Sequence, residues 1–244
     1  MTSRARASYL TPWARLVLAS AVVVLGLIAV LAAWRLATTE RQVVTYAVRG
    51  SLDGVALDLG DADVVIARGG ARSSVGVERT DRFAFRHPAD TRRVVAGRVF
   101  RLRSRCPANV LPSCSVRYRV TVPDNVPVEV RTASGGVRFT DYRGSARVTT
   151  GSGDIDVGSF CGFSLRARAQ SGDIDATASC APQQLSLRSS TGSVHALVPP
   201  GRYQIDAESA SGSKAVRGLV SATDAPFSIQ ALSSSGDVLV EGGP

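Results

Sequence analysis

The chain has 244 residues, of which 44% are hydrophobic, 6% aromatic and 20% charged, and it contains 23 glycines. A chain of this length buries a sizeable core, which excludes a small disulfide-dense scaffold. Abundant glycine and few aromatic residues favour short strands and turns over helices. The formal net charge is +9. Two histidines, four cysteines and one methionine leave few residues for a metal centre or an activated nucleophile.

An uncharged apolar segment runs from Leu16 to Trp34 and is predicted to cross a membrane as a helix. About 20 apolar residues in a helix span the hydrocarbon core of a bilayer. Arginines precede the segment and no acidic residue occurs before Glu40, which places residues 1–15 in the cytoplasm and the rest of the chain outside it. A cleaved signal peptide is the alternative, but the apolar core is long and a good cleavage site is missing. We therefore expect a single-pass signal anchor at residues 16–34 in the cell membrane.

Alternating apolar and polar residues predict strands between residues 46 and 122, whereas residues 35–45 are expected to form a juxtamembrane linker. In Val99–Arg103 and Ser115–Val120 the apolar residues alternate with arginine. One face of these strands is therefore expected to be buried and the other solvated and basic. We expect this region to form one continuous domain with residues 123–244.

The region 123–244 contains six repeats, each centred on a glycine, at intervals of 18 to 24 residues. The glycines are Gly135, Gly153, Gly172, Gly192, Gly212 and Gly236. The residues two and four positions after each glycine are apolar, with Lys214 as the one exception, and those seven and five positions before it are apolar throughout. Period-two alternation on both sides of a turn predicts coils of short strands that bury their inner faces only by stacking.

These repeats predict an all-β fold, a β-solenoid of about six coils in the form of a parallel β-helix or roll. A leucine-rich repeat has a similar period, but its signature and its helix-period face are missing. Antiparallel hairpins with glycine turns would give the same alternation and are the structural alternative.

The four cysteines test the stacking. Cys161 and Cys180 each lie eight residues after a repeat glycine, so stacked coils bring them onto adjacent strands about 4.8 Å apart, within the range of a disulfide. Cys106 and Cys114 bracket a short loop, and an extracytoplasmic location permits oxidation. We predict the disulfides Cys161–Cys180 and Cys106–Cys114. Metal binding is the alternative, which the lack of C-x-x-C spacing and of clustered histidines disfavours.

Four aspartates are candidates for a cation site, because stacking places Asp154 with Asp173 in one column and Asp156 with Asp175 in another. Carboxylates are the preferred ligands of Ca²⁺, and a close pair of carboxyls also serves retaining glycosidases. The alternative is turn chemistry and a solvated strand face. The calcium-binding nonapeptide pattern is missing, and no cofactor is expected. Ca²⁺ is nevertheless a candidate ligand of the four aspartates.

No catalytic residue is predicted. His87 lies in an arginine-rich segment, and His195 occupies the column of Asp156 and Asp175, so both are expected at the surface. The sequence has no G-x-S-x-G nucleophile motif, no phosphate-binding loop and no dinucleotide fingerprint.

Positive charge is concentrated in residues 78–119, which contain eleven arginines against three acidic residues, whereas residues 120–244 contain ten basic and twelve acidic residues. Arginine pairs well with phosphate and carboxylate, so a basic strand face near the membrane is expected to bind anionic envelope polymers or lipid headgroups. The alternative is a solvated face that protects strand edges from aggregation. The candidate residues are Arg92, Arg93, Arg98, Arg101, Arg103, Arg105, Arg117 and Arg119. Nucleic acid is not an expected partner in this compartment.

Three of the repeats carry Ser-Gly-Asp-Ile/Val steps, at 152–155, 171–174 and 235–238. Together with the anchor, residues 50–243 resemble the bacterial putative adhesin domains of the cell envelope. The resemblance implies a solenoid-like stack of strands outside the cytoplasm and supplies no catalytic residue. Gly192 and Gly212 depart from the pattern because serine follows them.

We therefore expect a membrane-anchored, extracytoplasmic, adhesin-like binding or structural module that is not an enzyme. One alternative is a carbohydrate-active enzyme on a β-helix that uses the stacked aspartates. The other is an accessory protein in envelope-stress signalling, whose partner is another membrane protein.

Overall fold

The computed structural model describes residues 12–37, 39–69, 74–84, 88–107 and 114–243. The chain begins with an apolar helix, α1 (Pro12–Ala37), in which residues 16–33 have a mean hydropathy of 2.9 and are not buried against the rest of the protein. The helix is long and apolar enough to cross a bilayer. Most of the segment expected in the cytoplasm lies outside the described residues, as does His87.

In the described part of the chain, twenty strands follow α1 and form two ten-stranded sheets. The strands before the repeats are β1 (Thr39–Arg49), β2 (Gly54–Asp58), β3 (Asp63–Arg68), β4 (Ser74–Ala84), β5 (Asp90–Ala96), β6 (Val99–Arg105) and β7 (Cys114–Val122). The first strands of the repeats are β8 (Val128–Thr132), β9 (Val137–Thr140), β10 (Ala146–Thr150), β11 (Ile155–Phe160), β12 (Ser164–Ser171), β13 (Ile174–Ala178), β14 (Gln184–Thr191) and β15 (Val194–Val198). The last strands are β16 (Arg202–Ser209), β17 (Lys214–Arg217), β18 (Val220–Ser221), β19 (Ser228–Ser235) and β20 (Val238–Gly242).

Each coil contributes one strand to each sheet. Sheet A has the order β1-β4-β7-β3-β9-β11-β13-β15-β20-β17, and sheet B has the order β18-β16-β19-β14-β12-β10-β8-β2-β6-β5. Neighbouring strands of the repeats pair in parallel, which confirms the solenoid and shows that antiparallel hairpins are wrong for this region. Among the described strands, antiparallel pairs occur where β4 joins β1 to β7 and where β5 pairs with β6.

The observed register of the strands agrees with the apolar columns predicted from the sequence. On sheet B, Val128, Ala146 and Leu165 are aligned on consecutive strands, and on sheet A Val137, Ile155 and Ile174 are aligned in the same way. The inner residues of both sheets form one hydrophobic cluster, to which the coils β2–β3 and β6–β7 also belong. No side chain of α1 that the structure describes belongs to this cluster, so the described core lies in the part of the chain after the helix, and we expect that part to fold without it.

The last two coils stack in reverse order. Strands β19 and β20 pair with β14 and β15 on one side and with β16 and β17 on the other. The coil β16–β17 therefore lies at the end of the solenoid, where the two-residue strand β18 alone pairs beyond β16 among the described strands. Position 214 on the inner face of this coil is exposed. This explains why Lys214 alone interrupts an apolar column, since its ammonium group stays in water. A lysine on a terminal strand also discourages pairing with a further strand.

The structure differs from the linker expected at residues 35–45. This stretch contains the end of α1 and the first half of β1, which pairs with β4 along its whole length. The inner residues of β1 are half-buried, namely Val44, Tyr46 and Val48. The strand was missed because its alternation begins inside the presumed linker and continues past its end.

Both predicted disulfides are present. The Cα atoms of Cys106 and Cys114 are 5.8 Å apart, and those of Cys161 and Cys180 are 4.8 Å apart. The second pair joins consecutive coils at equivalent positions, which is the arrangement that the stacking required. All four cysteines are therefore oxidised.

Candidate functional site

The outer face of sheet B between β5 and β14 is strongly basic. Its arginines are Arg92, Arg101, Arg103, Arg105, Arg131, Arg147, Arg166, Arg168 and Arg188. All nine side chains are exposed, and the acidic residues among them are Asp58, Asp90 and Glu129. We name these nine residues the arginine face. The alternation of the strands creates it, because the residues before and after an outward-facing arginine point to the inner side of the sheet, as the buried Ala146 and Val148 do beside Arg147.

The structure separates the arginines that the sequence grouped together. Four of the eight candidates lie on the arginine face, whereas Arg117 and Arg119 lie on β7 of sheet A. The guanidinium of Arg93 lies 4.7 Å from the ring centroid of Tyr46, and Arg98 lies in the turn between β5 and β6. The eight candidates therefore do not form one binding surface.

At the β5–β6 end, carboxylates compensate part of the arginine face. The Nε of Arg103 lies 3.0 Å from a carboxylate oxygen of Asp58, and Arg105 lies 3.9 Å from the same oxygen. Arg92 lies 3.9 Å from Asp90. These pairs are solvent-exposed, so each contributes little to stability and does not remove the positive potential of the surface.

Toward the middle of the sheet, the partners are mostly neutral. We name five of the arginines the central cluster: Arg131, Arg147, Arg166, Arg168 and Arg188. Arg131 lies 2.7 Å from the carboxylate of Glu129. Two others donate hydrogen bonds to amide oxygens, Arg166 to Gln184 at 2.9 Å and Arg188 to Gln230 at 2.7 Å. Arg147 and Arg168 have no side-chain partner among the described residues.

An open groove of about 600 Å³ is lined by all five arginines of the central cluster. A neighbouring groove of about 840 Å³ shares Arg168 and Arg188 and extends to Lys214 at the end of the solenoid. The basic surface is therefore a track across several strands. Arginine remains charged at every physiological pH, so this surface stays cationic.

Sequence reasoning missed the central cluster, because its members are far apart in the chain and acidic residues elsewhere in residues 120–244 cancel their charge in a regional sum. The outer positions of the repeats contain the missing signal. In register, Arg147 lies beside Arg166, and Arg168 lies beside Arg188. Counting charge by column of the repeat would have found the cluster.

The first pair of candidate aspartates has a structural role. The carboxylate of Asp154 accepts a hydrogen bond from the backbone N–H of Asp173 at 3.0 Å, and Asp173 accepts one from the N–H of Ser193 at 2.7 Å. Asp237 accepts bonds from both the N–H and the hydroxyl of Ser213, each at 2.8 Å, and these bonds lower the pKa of Asp237. Each of these carboxylates therefore ties a turn to the next coil in the stack, which is the turn chemistry that the sequence left open.

The second pair lies on the outer face of sheet A, where Asp156 and Asp175 are in register on adjacent strands. Asp156 lies 2.8 Å from Arg138, and Asp175 lies 3.6 Å from Nδ1 of His195. Nε2 of His195 lies 3.5 Å from Glu241. The described residues contain no group of three or more histidine, cysteine or acidic side chains arranged for a metal ion. A Ca²⁺ site at these aspartates stays a prediction.

A further charged pair lies between the sheets and is not accessible to a large ligand. Asp81 is buried and is hydrogen bonded to Arg79, which also donates a bond to the hydroxyl of Thr91 at 2.6 Å. The bond with Asp81 raises the pKa of Arg79, so the guanidinium stays charged. Such a buried pair specifies packing and does not offer a surface for recognition.

Some solved structures of bacterial proteins are similar to this chain, although the sequences differ widely. A putative cell adhesion protein from Clostridium sporogenes superposes with a TM-score of 0.52 at 11% identity, over 84% of this chain and all of that chain. A putative adhesin from Bacteroides fragilis gives a TM-score of 0.44 at 10% identity, over 83% of this chain and 97% of that one. No curated protein matches the sequence. The first of these structures shows that the fold is shared, and the repeat coils at residues 122–241 match the family model described as Toastrack DUF4097.

Proposed function

We propose that the protein is a membrane-anchored, extracytoplasmic binding module that is not an enzyme and that holds anionic components of the cell envelope on its arginine face. One observation carries the proposal: between β5 and β14, nine exposed arginines share the outer face of sheet B with three carboxylates among the described residues. Arginine forks bind phosphate and carboxylate groups in water, and a dense basic surface attracts polyanions over a Debye length of about 8–10 Å.

The architecture supports a rigid platform. A ten-stranded sheet with a continuous core fixes the relative positions of its outer side chains. The apolar helix supports an anchor, and the arginines before it support a cytoplasmic N-terminus. In this arrangement the domain follows the anchor directly, since β1 begins at Thr39.

The experiment is co-sedimentation of residues 36–244 with protein-stripped bacterial envelope fragments across a salt titration. We expect binding at low salt that weakens as salt rises, because exposed charges are screened. A face variant replaces four arginines from both halves of the surface by glutamine, at Arg101, Arg103, Arg147 and Arg168. A matched control on sheet A and its loops removes the same charge, at Arg68, Arg138, Arg143 and Arg217.

The face variant should lose most of the bound fraction, whereas the sheet A control should retain it. Equal losses in the two variants would mean that only net charge matters and would contradict a binding face. The absence of binding by the unchanged protein at low salt would also refute the proposal. Circular dichroism of each variant checks that the β fold is intact.

A further inference from the structure

We propose that the central cluster binds a single linear polyanion whose chain runs along the solenoid axis, across strands β8, β10, β12 and β14. The inference rests on the proposed function and specifies its ligand class and binding direction. The ligand is a polymer with regularly spaced phosphate or carboxylate groups.

The first argument is that the central cluster places like charges side by side. Arg147 and Arg166 are direct neighbours on adjacent strands, and so are Arg168 and Arg188. Neighbouring strands are about 4.8 Å apart, and like charges directly opposite each other destabilise a sheet. Among the described residues that line the groove the one carboxylate is Glu129, which is in register with Arg147 and bonded to Arg131. A sheet that maintains two arginine pairs beside a single acid is suited to an anionic ligand that relieves the repulsion.

The second argument is a comparison with the outer face of sheet A at the same coils. There, Arg138 pairs with Asp156, His195 lies between Asp175 and Glu241, and Arg217 lies 3.3 Å from Glu241. The same repeats therefore alternate charge on one face and accumulate it on the other. The difference in charge is therefore a difference between the two outer faces, and the overall composition of these repeats does not explain it.

The third argument excludes protection of strand edges as the reason for these arginines. Charged residues discourage aggregation at the edge strands of a sheet, where backbone groups are unpaired. Strands β8, β10, β12 and β14 occupy central positions in sheet B and are paired on both sides. Their backbone needs no such protection.

The fourth argument gives the direction of the ligand. One row of outer positions contains Arg147 and Arg166, and a parallel row contains Arg131, Arg168 and Arg188. The second row spans three strand intervals, or about 14 Å along the axis, and the rows are about 7 Å apart. A chain running along the axis meets all five arginines, whereas a chain parallel to the strands meets at most two on any one strand.

The surface also favours a polymer over a bilayer. A protein that docks on lipid usually inserts apolar side chains beside its basic residues. The exposed large hydrophobic residues of the described extramembrane region lie outside the central cluster, for example Val95 on β5 and Phe163 in a turn. Val94 lies beside Arg101, at the peripheral end of the arginine face. The groove of the central cluster is lined by arginines, serine, threonine and glutamines in addition to Glu129 and the strand residue Val148.

The test measures binding of fluorescent long-chain inorganic polyphosphate to the full chain in neutral detergent micelles. A central variant replaces Arg147, Arg166, Arg168 and Arg188 by glutamine. A peripheral variant makes the same change at Arg92, Arg101, Arg103 and Arg105. Both remove four positive charges from the same sheet, and the sheet A variant described above removes four from the other.

We expect the central variant to weaken polyphosphate binding at least about tenfold, equivalent to about 1.4 kcal/mol, and the other two variants to weaken it less than about threefold. Unlabelled pyrophosphate should compete poorly at equal phosphate concentration, because it spans too few arginines. Equal effects of the central and peripheral variants, or equal competition by pyrophosphate and polymer, would overturn the inference.

A further arm distinguishes this inference from the proposed function. Binding of the protein to phosphatidylglycerol vesicles without binding to polyphosphate would refute the polymer and leave an anion-binding module. Loss of envelope sedimentation in the peripheral variant alone would likewise refute the central cluster and retain the arginine face. Failure of the unchanged protein in every assay would refute both.

Discussion

Replacing Gly135 by alanine tests how closely the coils pack at their turns. A Cβ at this position would overlap the backbone carbonyl of Ala62 in the neighbouring coil. Because that atom belongs to the backbone, no rotamer change relieves the overlap, and the two coils must separate locally. Separation strains the hydrogen bonds between them, including the bond from the N–H of Val64 to the carbonyl of Gly136 at 2.9 Å.

The adjacent glycine provides a matched control. A Cβ at Gly136 would lie 3.7 Å from Asp63 Oδ1 and 3.8 Å from the carbonyl of Asp154, which are ordinary contacts. Overpacking costs about 1–3 kcal/mol, and the overlap at Gly135 with fixed backbone places Gly135→Ala near the upper end, at about 3 kcal/mol. Gly136→Ala should change the free energy of unfolding by less than about 0.5 kcal/mol. Both variants share the effect of alanine on the unfolded chain, so their difference isolates the overlap.

The assay is urea unfolding of residues 36–244, followed by circular dichroism in the β region. With a denaturant dependence of about 2–3 kcal/mol per molar urea, Gly135→Ala should lower the midpoint by about 1 M. The midpoint of Gly136→Ala should stay within about 0.2 M of the unchanged protein. Equal midpoints in the two variants, or a larger loss in Gly136→Ala, would refute the proposed contact between turns.

Two further predictions concern the links between coils. Replacing both Cys161 and Cys180 by serine opens a loop with a sequence separation of 19 and should lower the free energy of unfolding by about 3 kcal/mol; an unchanged urea midpoint would contradict this value. Hydrogen bonds from Ser213 hold the pKa of Asp237 below its ordinary value. This carboxylate therefore stabilises the terminal coil fully at pH values above its pKa in the unfolded chain, which is about 4. The stabilisation is lost as the pH falls through the pKa of the folded state. Hydrogen exchange in β16, corrected for intrinsic rates, should therefore show more opening at about pH 2–3 than at neutral pH, and Asp237→Asn should reduce that difference; equal pH sensitivity in both proteins would show that other groups are responsible.

Much of the fold was predictable from local patterns. The alternation around each repeat glycine predicted the inner residues of both sheets, since a strand has a period of two and each coil buries only one face. The equal offset of Cys161 and Cys180 from their glycines predicted their disulfide for the same reason. The column of aspartates was also visible, but its role in joining successive turns depends on backbone N–H groups of another coil.

The binding face was less predictable, because charge in a sequence is naturally summed along the chain. Residues 78–119 stand out in such a sum, yet Arg117 and Arg119 belong to one sheet and Arg101 and Arg103 to the other. Arginines that are near each other in the sequence, such as Arg103 and Arg117, thus lie on different sheets of the protein. The reverse holds for Arg168 and Arg188, which are separated by a whole coil and lie side by side.

The sequence by itself determined the apolar helix, the repeat, the buried columns and the cysteine pairs, because each depends on spacing within a coil or between equivalent positions of coils. Only the tertiary structure decided the order in which the coils stack. The final coil β19–β20 lies between β14–β15 and β16–β17. Its apolar inner residues Ile229, Ala231, Val238 and Val240 pack against coils on both sides, whereas the coil with Lys214 leaves one side in water. The tertiary structure also decided which outer columns carry charge together, and with them the face that we propose binds a polyanion.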